Sequence, residues 1–99
     1  MFLKVLSKKN TKEVLYLLEK NEELYFSQLL NETGAFKSNL SNLINELIDF
    51  GLISKREEAE ELKQQKIPKV YYKLTNVGKE ALKIYEIEQN LEKLKKSNE

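Results

Sequence analysis

Ninety-nine residues, 40% hydrophobic and 33% charged, suffice for one domain with a core and not for two. Lysine and arginine total 17 against 16 aspartate and glutamate, a net charge of +1. That is well short of the strongly basic balance of a non-specific nucleic-acid binder. With no cysteine and no histidine, the sequence excludes disulfides, thiolate nucleophiles, Cys/His zinc sites and histidine general bases. Gly34, Gly51 and Gly78 lie too far apart for a phosphate-cradling glycine loop. What remains is a binding protein, with no cofactor and no enzymatic activity expected. The apolar opening Met1-Phe2-Leu3-Lys4-Val5-Leu6 is too short for a signal peptide or a membrane span, so a cytoplasmic chain is expected.

Asn10 or Thr11 is placed to cap a first helix, with Glu13 reaching back from within the first turn. Val14, Leu15, Leu17 and Leu18 supply its apolar face, and Asn21-Glu22-Glu23 ends it. Leu24-Tyr25-Phe26 reads as a short strand. Ser27 is a good N-cap for a short second helix carrying Leu29 and Leu30, which stops at Thr33-Gly34. A third helix spans 37–50. Its apolar residues Leu40, Leu43, Ile44, Leu47 and Ile48 fall at i, i+3, i+4, i+7 and i+8, the strongest period in the chain. Gly51 is its natural terminator. Its opposite face is polar and uncharged: Ser38, Ser41, Asn42 and Asn45.

Residues 52–56 then read as a strand, and 70–74 as its partner with Val70, Tyr72 and Leu74 on one face. The charged connection between them has some helix propensity over 57–66 and ends in Ile67-Pro68. Thr75 can cap a final helix over 76–96. Val77, Ala81, Leu82 and Tyr85 form its early apolar face. Ile84, Ile87, Leu91 and Leu94 then keep a 3-4-3 rhythm, the spacing of a two-heptad seam. The fold class is therefore mainly α with a small β-hairpin (α+β). Residues 1–78 form a winged helix-turn-helix domain, and 79–99 a C-terminal helix suited to dimerisation.

The order helix, strand, helix, helix, ribbon, helix, with a turn at Gly34, is that of a winged helix-turn-helix. The sequence resembles winged-helix regulators of the MarR, PadR and HxlR kind in four stretches. These are Leu6-Ser7-Lys8-Lys9, Tyr25-Phe26-Ser27-Gln28-Leu29, residues 40–53 (LSNLINELIDFGLI) and residues 72–78 (YKLTNVG). The last two are the most specific. The resemblance implies a recognition helix, a wing and a return helix, and pairing through terminal helices. HxlR-type members often carry a sensing cysteine near the N-terminus. This chain has none, so thiol sensing does not carry over.

Ser38, Ser41, Asn42 and Asn45 are the candidate base readers, because the N-terminal residues of such a helix face base edges and asparagine pairs bidentately with adenine. Lys37, Lys55, Arg56, Lys63, Lys66 and Lys69 are candidate contacts to phosphates or the minor groove. Lys8, Lys9 and Lys12 are further phosphate candidates. Leu3, Leu6, Ile84, Ile87, Leu91 and Leu94 are the candidate dimer interface. Tyr25, Tyr71 and Tyr85 are candidates to line an effector pocket. The expected partners are double-stranded DNA and a second copy of the chain, with no membrane. One reading is a dimeric transcriptional regulator in the nucleoid. The alternative is a plasmid or chromosome segregation adaptor that binds centromere repeats and recruits a partner protein. A third reading has the wing and third helix contacting protein only.

Overall fold

The computed structural model describes residues 1–58 and 69–97. In chain order the elements are α1 (Phe2–Leu6), α2 (Thr11–Lys20), β1 (Leu24–Tyr25), α3 (Phe26–Thr33), α4 (Lys37–Asp49), β2 (Ile53–Glu57), β3 (Val70–Leu74) and α5 (Asn76–Ser97). The strands form an antiparallel sheet in the order β1-β3-β2. Leu24 pairs with Tyr72, and Ile53 with Leu74. The expected class holds: mostly helix with a small sheet and a long C-terminal helix.

The core sits where α2, α4 and α5 converge on the sheet. Val14, Leu15 and Leu18 of α2, Leu40, Ile44 and Leu47 of α4, and Ala81, Leu82 and Tyr85 of α5 are all buried. The strict period of α4 explains its seat, because it turns Leu40, Leu43, Ile44 and Leu47 inward together.

The structure adds one short helix and corrects three sequence-based expectations. The opening apolar run forms the short helix α1, with Val5 and Leu6 buried. Leu6 therefore belongs to the chain's own core, at 4% exposure, and not to a surface offered to a partner. Asn10 is the N-cap of α2, as expected, but in a left-handed conformation at φ 71°, and its side-chain amide donates to Glu13 Oε1 at 2.8 Å instead of closing a capping box on the backbone. Helix α3 begins before Ser27. Tyr25 is its N-cap, and Gln28 Oε1 accepts the Tyr25 N–H at 3.0 Å.

The joint between α4 and α5 gives physical meaning to the two most specific sequence stretches. Gly51 takes φ 74°, Gly51 N–H donates to the Ile48 carbonyl, and Leu52 N–H donates to the Leu47 carbonyl, both at 2.9 Å. This is a Schellman ending, with Leu47 and Leu52 both fully buried beside it. Thr75 then fastens the far side. Its hydroxyl lies 2.6 Å from the Gly51 carbonyl and 2.9 Å from that of Leu52, and accepts the Gly78 N–H at 3.0 Å. Gly78 is buried where α5 crosses Leu52. A Cβ at this position would collide with the Leu52 carbonyl oxygen and stand 2.6 Å from Leu74 Cδ1.

A second tie joins the chain's two ends. Tyr85 of α5 donates its hydroxyl to the Leu6 carbonyl of α1 at 2.8 Å. Burial, with the Tyr16 phenol and Glu88 nearby, pushes the Tyr85 phenol up to about 12. The folded state thus holds this proton more tightly than the unfolded chain does. The resulting stability is fully present below pH 10 and is lost as the pH rises from about 10 through about 12. Tyr85→Phe is expected to lose about 1 kcal/mol at neutral pH with the Leu6 bond. It should also show a shallower alkaline decline than wild type in denaturant titrations across that window. Parallel declines would mean that other groups govern alkaline unfolding.

Candidate nucleic-acid interface

Helices α3 and α4 are joined by Gly34, Ala35 and Phe36, with Gly34 at φ 66° supplying the left-handed residue that stops α3. Because the buried stripe of α4 faces inward, its other side is left to solvent. Lys37, Ser38, Asn39, Ser41, Asn42 and Asn45 are all exposed. Ser38, Ser41, Asn42 and Asn45 recur at i, i+3, i+4 and i+7 and so share one face. No acidic residue lies in the first turn of α4, and no side chain caps its first amides. Further along, the Glu46 carboxylate is engaged by Lys8 Nζ at 2.6 Å. The face thus presents amides and hydroxyls with one cation, Lys37, at its start.

The sequence reading passed over Phe36, the N-cap of α4, which is 79% exposed. By spacing Phe36 continues the apolar stripe, four residues before Leu40, yet its extended N-cap backbone keeps it outside the core.

Strands β2 and β3 form the wing, whose pairing continues through the Glu58 N–H to the Lys69 carbonyl at 2.9 Å. Lys55, Arg56 and Lys69 are exposed. Lys63 and Lys66 lie outside the described residues, as does most of the connection over 57–66. Arg56 is already engaged. Its Nε and one terminal nitrogen donate to the two Glu23 oxygens at 3.0 and 2.8 Å, and its guanidinium lies 4.7 Å from the Tyr71 ring centre. Hydrogen bonding from Arg56 holds the Glu23 carboxyl below the usual carboxylate range. Lys69 Nζ stands 5.0 Å from the centre of the Tyr25 ring, which packs edge-on against Tyr71. Tyr25 and Tyr71 thus brace the base of the wing, and Tyr85 reaches α1. The three tyrosines do not share a pocket.

Helix α5 outruns the domain. Tyr85 is its last buried residue, and residues 86–97 are exposed throughout. Ile87, Leu91 and Leu94 are 57–61% exposed, and Ile84 is 37% exposed. At its other end, Phe2, Leu6, Val77, Glu80, Ala81 and Ile84 line an apolar cleft of about 220 Å³ between α1 and α5. Leu3 is 55% exposed on the same short helix as Phe2. The structure therefore brings the N-terminal apolar residues beside the start of the α5 strip, with Leu6 turned into the core. Among the described residues no helix is long and apolar enough to cross a membrane, and no cluster of acidic side chains is arranged to hold a metal.

No protein-family model matches the chain. In structure it is similar to a putative MarR-family transcriptional regulator of Porphyromonas gingivalis W83, with a TM-score of 0.66 and 22% identity over 98% of this chain and 87% of that one. A protein of Halomicrobium mukohataei with a GntR-superfamily winged-helix-turn-helix domain gives a TM-score of 0.69 at 20% identity. That match covers 84% of this chain, which spans only 60% of that protein. In sequence the chain is 47% identical over 95 residues to an uncharacterized protein of Methanocaldococcus jannaschii, covering 96% of this chain and 77% of the relative. It is also 33% identical over 99 residues to an uncharacterized HTH-type transcriptional regulator of the same organism, covering the whole chain and 89% of the relative. Fold, helix-turn-helix geometry and full-length sequence similarity together place the chain in the winged-helix family of HTH-type transcriptional regulators.

Proposed function

We propose that the chain is a sequence-specific double-stranded DNA-binding protein that acts as a dimeric transcriptional regulator at the nucleoid. In this reading α4 lies in the major groove, and the wing touches phosphates or the minor groove through Lys55 and Lys69. The observation that carries it is the exposed face of Ser38, Ser41, Asn42 and Asn45 at the start of a helix whose other side is locked into the core. Groups on such a face donate to and accept from base edges. Arg56, held by Glu23, braces the wing in the free protein. The name carried by the 33%-identical relative favours regulation over a segregation role.

The proposed dimer is two-fold and built on Ile84, Ile87, Leu91 and Leu94, assisted by Leu3. Twelve exposed helical residues that bear an apolar strip are marginal on their own in water, which favours a partner helix. For both copies of α4 to enter one face of DNA they must stand about 34 Å apart, on half-sites about 10 base pairs apart.

The test is selection of bound duplexes from a random pool, followed by titration of the preferred site with Asn42→Ala and Asn45→Ala. Each variant is expected to keep its circular dichroism and to lose about 1–3 kcal/mol of specific binding. Wild-type affinity in both variants would remove α4 as the reading element. Absence of salt-dependent binding to any duplex would remove the DNA-binding reading itself.

A further inference from the structure

Phe36 is the most exposed aromatic ring of the chain, at 79%. The other rings are accounted for. Phe2 packs edge-on against Phe50, Phe26 packs on the core, and the tyrosines are buried or braced. Phe36 does not belong to the core cluster. It stands one residue before α4 and two before Ser38, at the end of the reading helix that meets base edges. Its backbone is fixed, with φ −68° and ψ 141°, and its carbonyl accepts the Leu40 N–H at 2.9 Å. The ring is therefore displayed from an anchored position.

The chemistry around it is selective. Arg56 is the sole arginine of the sequence and sits on the wing, engaged by Glu23. No arginine is available on α4 for the usual bidentate contact to guanine. Asn42 and Asn45 suit the N6 and N7 edge of adenine. The other half of an A·T pair offers the major groove one apolar group, the thymine C5-methyl, and phenylalanine is among the side chains that pack on it. An exposed ring at the helix start also incurs an apolar hydration cost that such a contact relieves.

We infer that Phe36 is a specificity-determining residue that recognises thymine methyl groups, so that α4 reads A·T-rich half-sites through asparagine on adenine and phenylalanine on thymine. This inference rests on the DNA-binding reading above, and the experiment separates the two. The probes are the duplex selected with the wild-type chain and the same duplex with 2′-deoxyuridine replacing one thymidine per half-site, each position in turn. Uracil keeps the pairing edge and lacks only the methyl.

At one position, wild type is expected to bind the uracil duplex about fourfold more weakly per half-site, the equivalent of about 0.8 kcal/mol for one methyl group. Phe36→Ala should bind the thymine duplex more weakly than wild type and bind the thymine and uracil versions of that position equally. Phe36→Leu should retain part of the discrimination. Both variants should keep the wild-type thermal midpoint, because the side chain lies outside the core. Two results overturn the inference while leaving DNA binding intact: uracil substitution without effect at every position, or methyl discrimination that persists in Phe36→Ala. If wild type binds no duplex in a salt-dependent manner, the DNA-binding reading fails, and this inference with it.

Discussion

Gly78→Ala is expected to destabilise the chain by about 3 kcal/mol, the upper part of the range for overpacking, and so lower the thermal midpoint by roughly 12–24 °C. Helix propensity alone gives the opposite sign, since alanine is favoured over glycine inside a helix by about 0.8–1.0 kcal/mol. Packing overrides it because the new Cβ would meet the Leu52 carbonyl oxygen and Leu74 Cδ1. The Leu52 oxygen is backbone and also accepts from the Thr75 amide at 3.1 Å, so it cannot swing aside as a flexible side chain would. Gly34→Ala provides the contrast. Its φ of 66° is strained for alanine, but nothing lies within 4 Å of the added carbon. About 1 kcal/mol is expected there. Denaturant midpoints of the two variants measure the difference. Equal losses, or a stabilised Gly78→Ala, would show that α5 can slide away from Leu52.

The second large effect concerns the strip on α5. Leu91→Lys combined with Leu94→Lys places like charges along the proposed seam while touching no buried residue of the chain, since both leucines are about 60% exposed. The double variant should remain folded, with an unchanged helical signal, and should sediment as a monomer. Its affinity for the preferred duplex should fall by about 10²–10⁴, the benefit of engaging two linked half-sites at once. A monomeric wild type at micromolar concentration, or a double variant that stays dimeric, would place the interface elsewhere.

The sequence showed most clearly what periodicity and turn chemistry encode. Five apolar residues at helical spacing placed α4 to within one residue of its observed end, and Gly34 and Gly51 marked the ends of α3 and α4 with the left-handed conformations observed. Thr75 caps α5 as its position suggests. Where several local partners compete, the sequence was a poorer guide. Ser27 has a better capping side chain than Tyr25, yet pairing of Tyr25 with Tyr71 fixes the strand end, and Gln28 completes the cap. Helix α1 is too short to show a period, and its order comes from tertiary contacts such as Thr11 Oγ1 donating to the Val5 carbonyl at 3.0 Å. The same holds for the interface. The exposed amide and hydroxyl face of α4 follows directly from the apolar stripe on its other side. The engagement of Arg56 by Glu23, 33 residues away, depends on how β1 and β2 flank β3.

The Thr75 fastening has a mechanical consequence. Because one hydroxyl joins the end of α4 to the start of α5, the two helices form a bent lever whose long arm is α5. With 22 residues, that arm is about 33 Å long. In the proposed dimer the fulcrum lies at the far end, so a tilt of about 5° carries the near end by about 3 Å over such an arm. That is close to the rise of one base pair, about 3.4 Å. A stiff joint passes this displacement to α4 undiminished. In that proposed dimer the register of one α4 against its twin would be set at the far end of α5, where a small adjustment of side-chain packing would suffice to bring two half-sites into step or out of it.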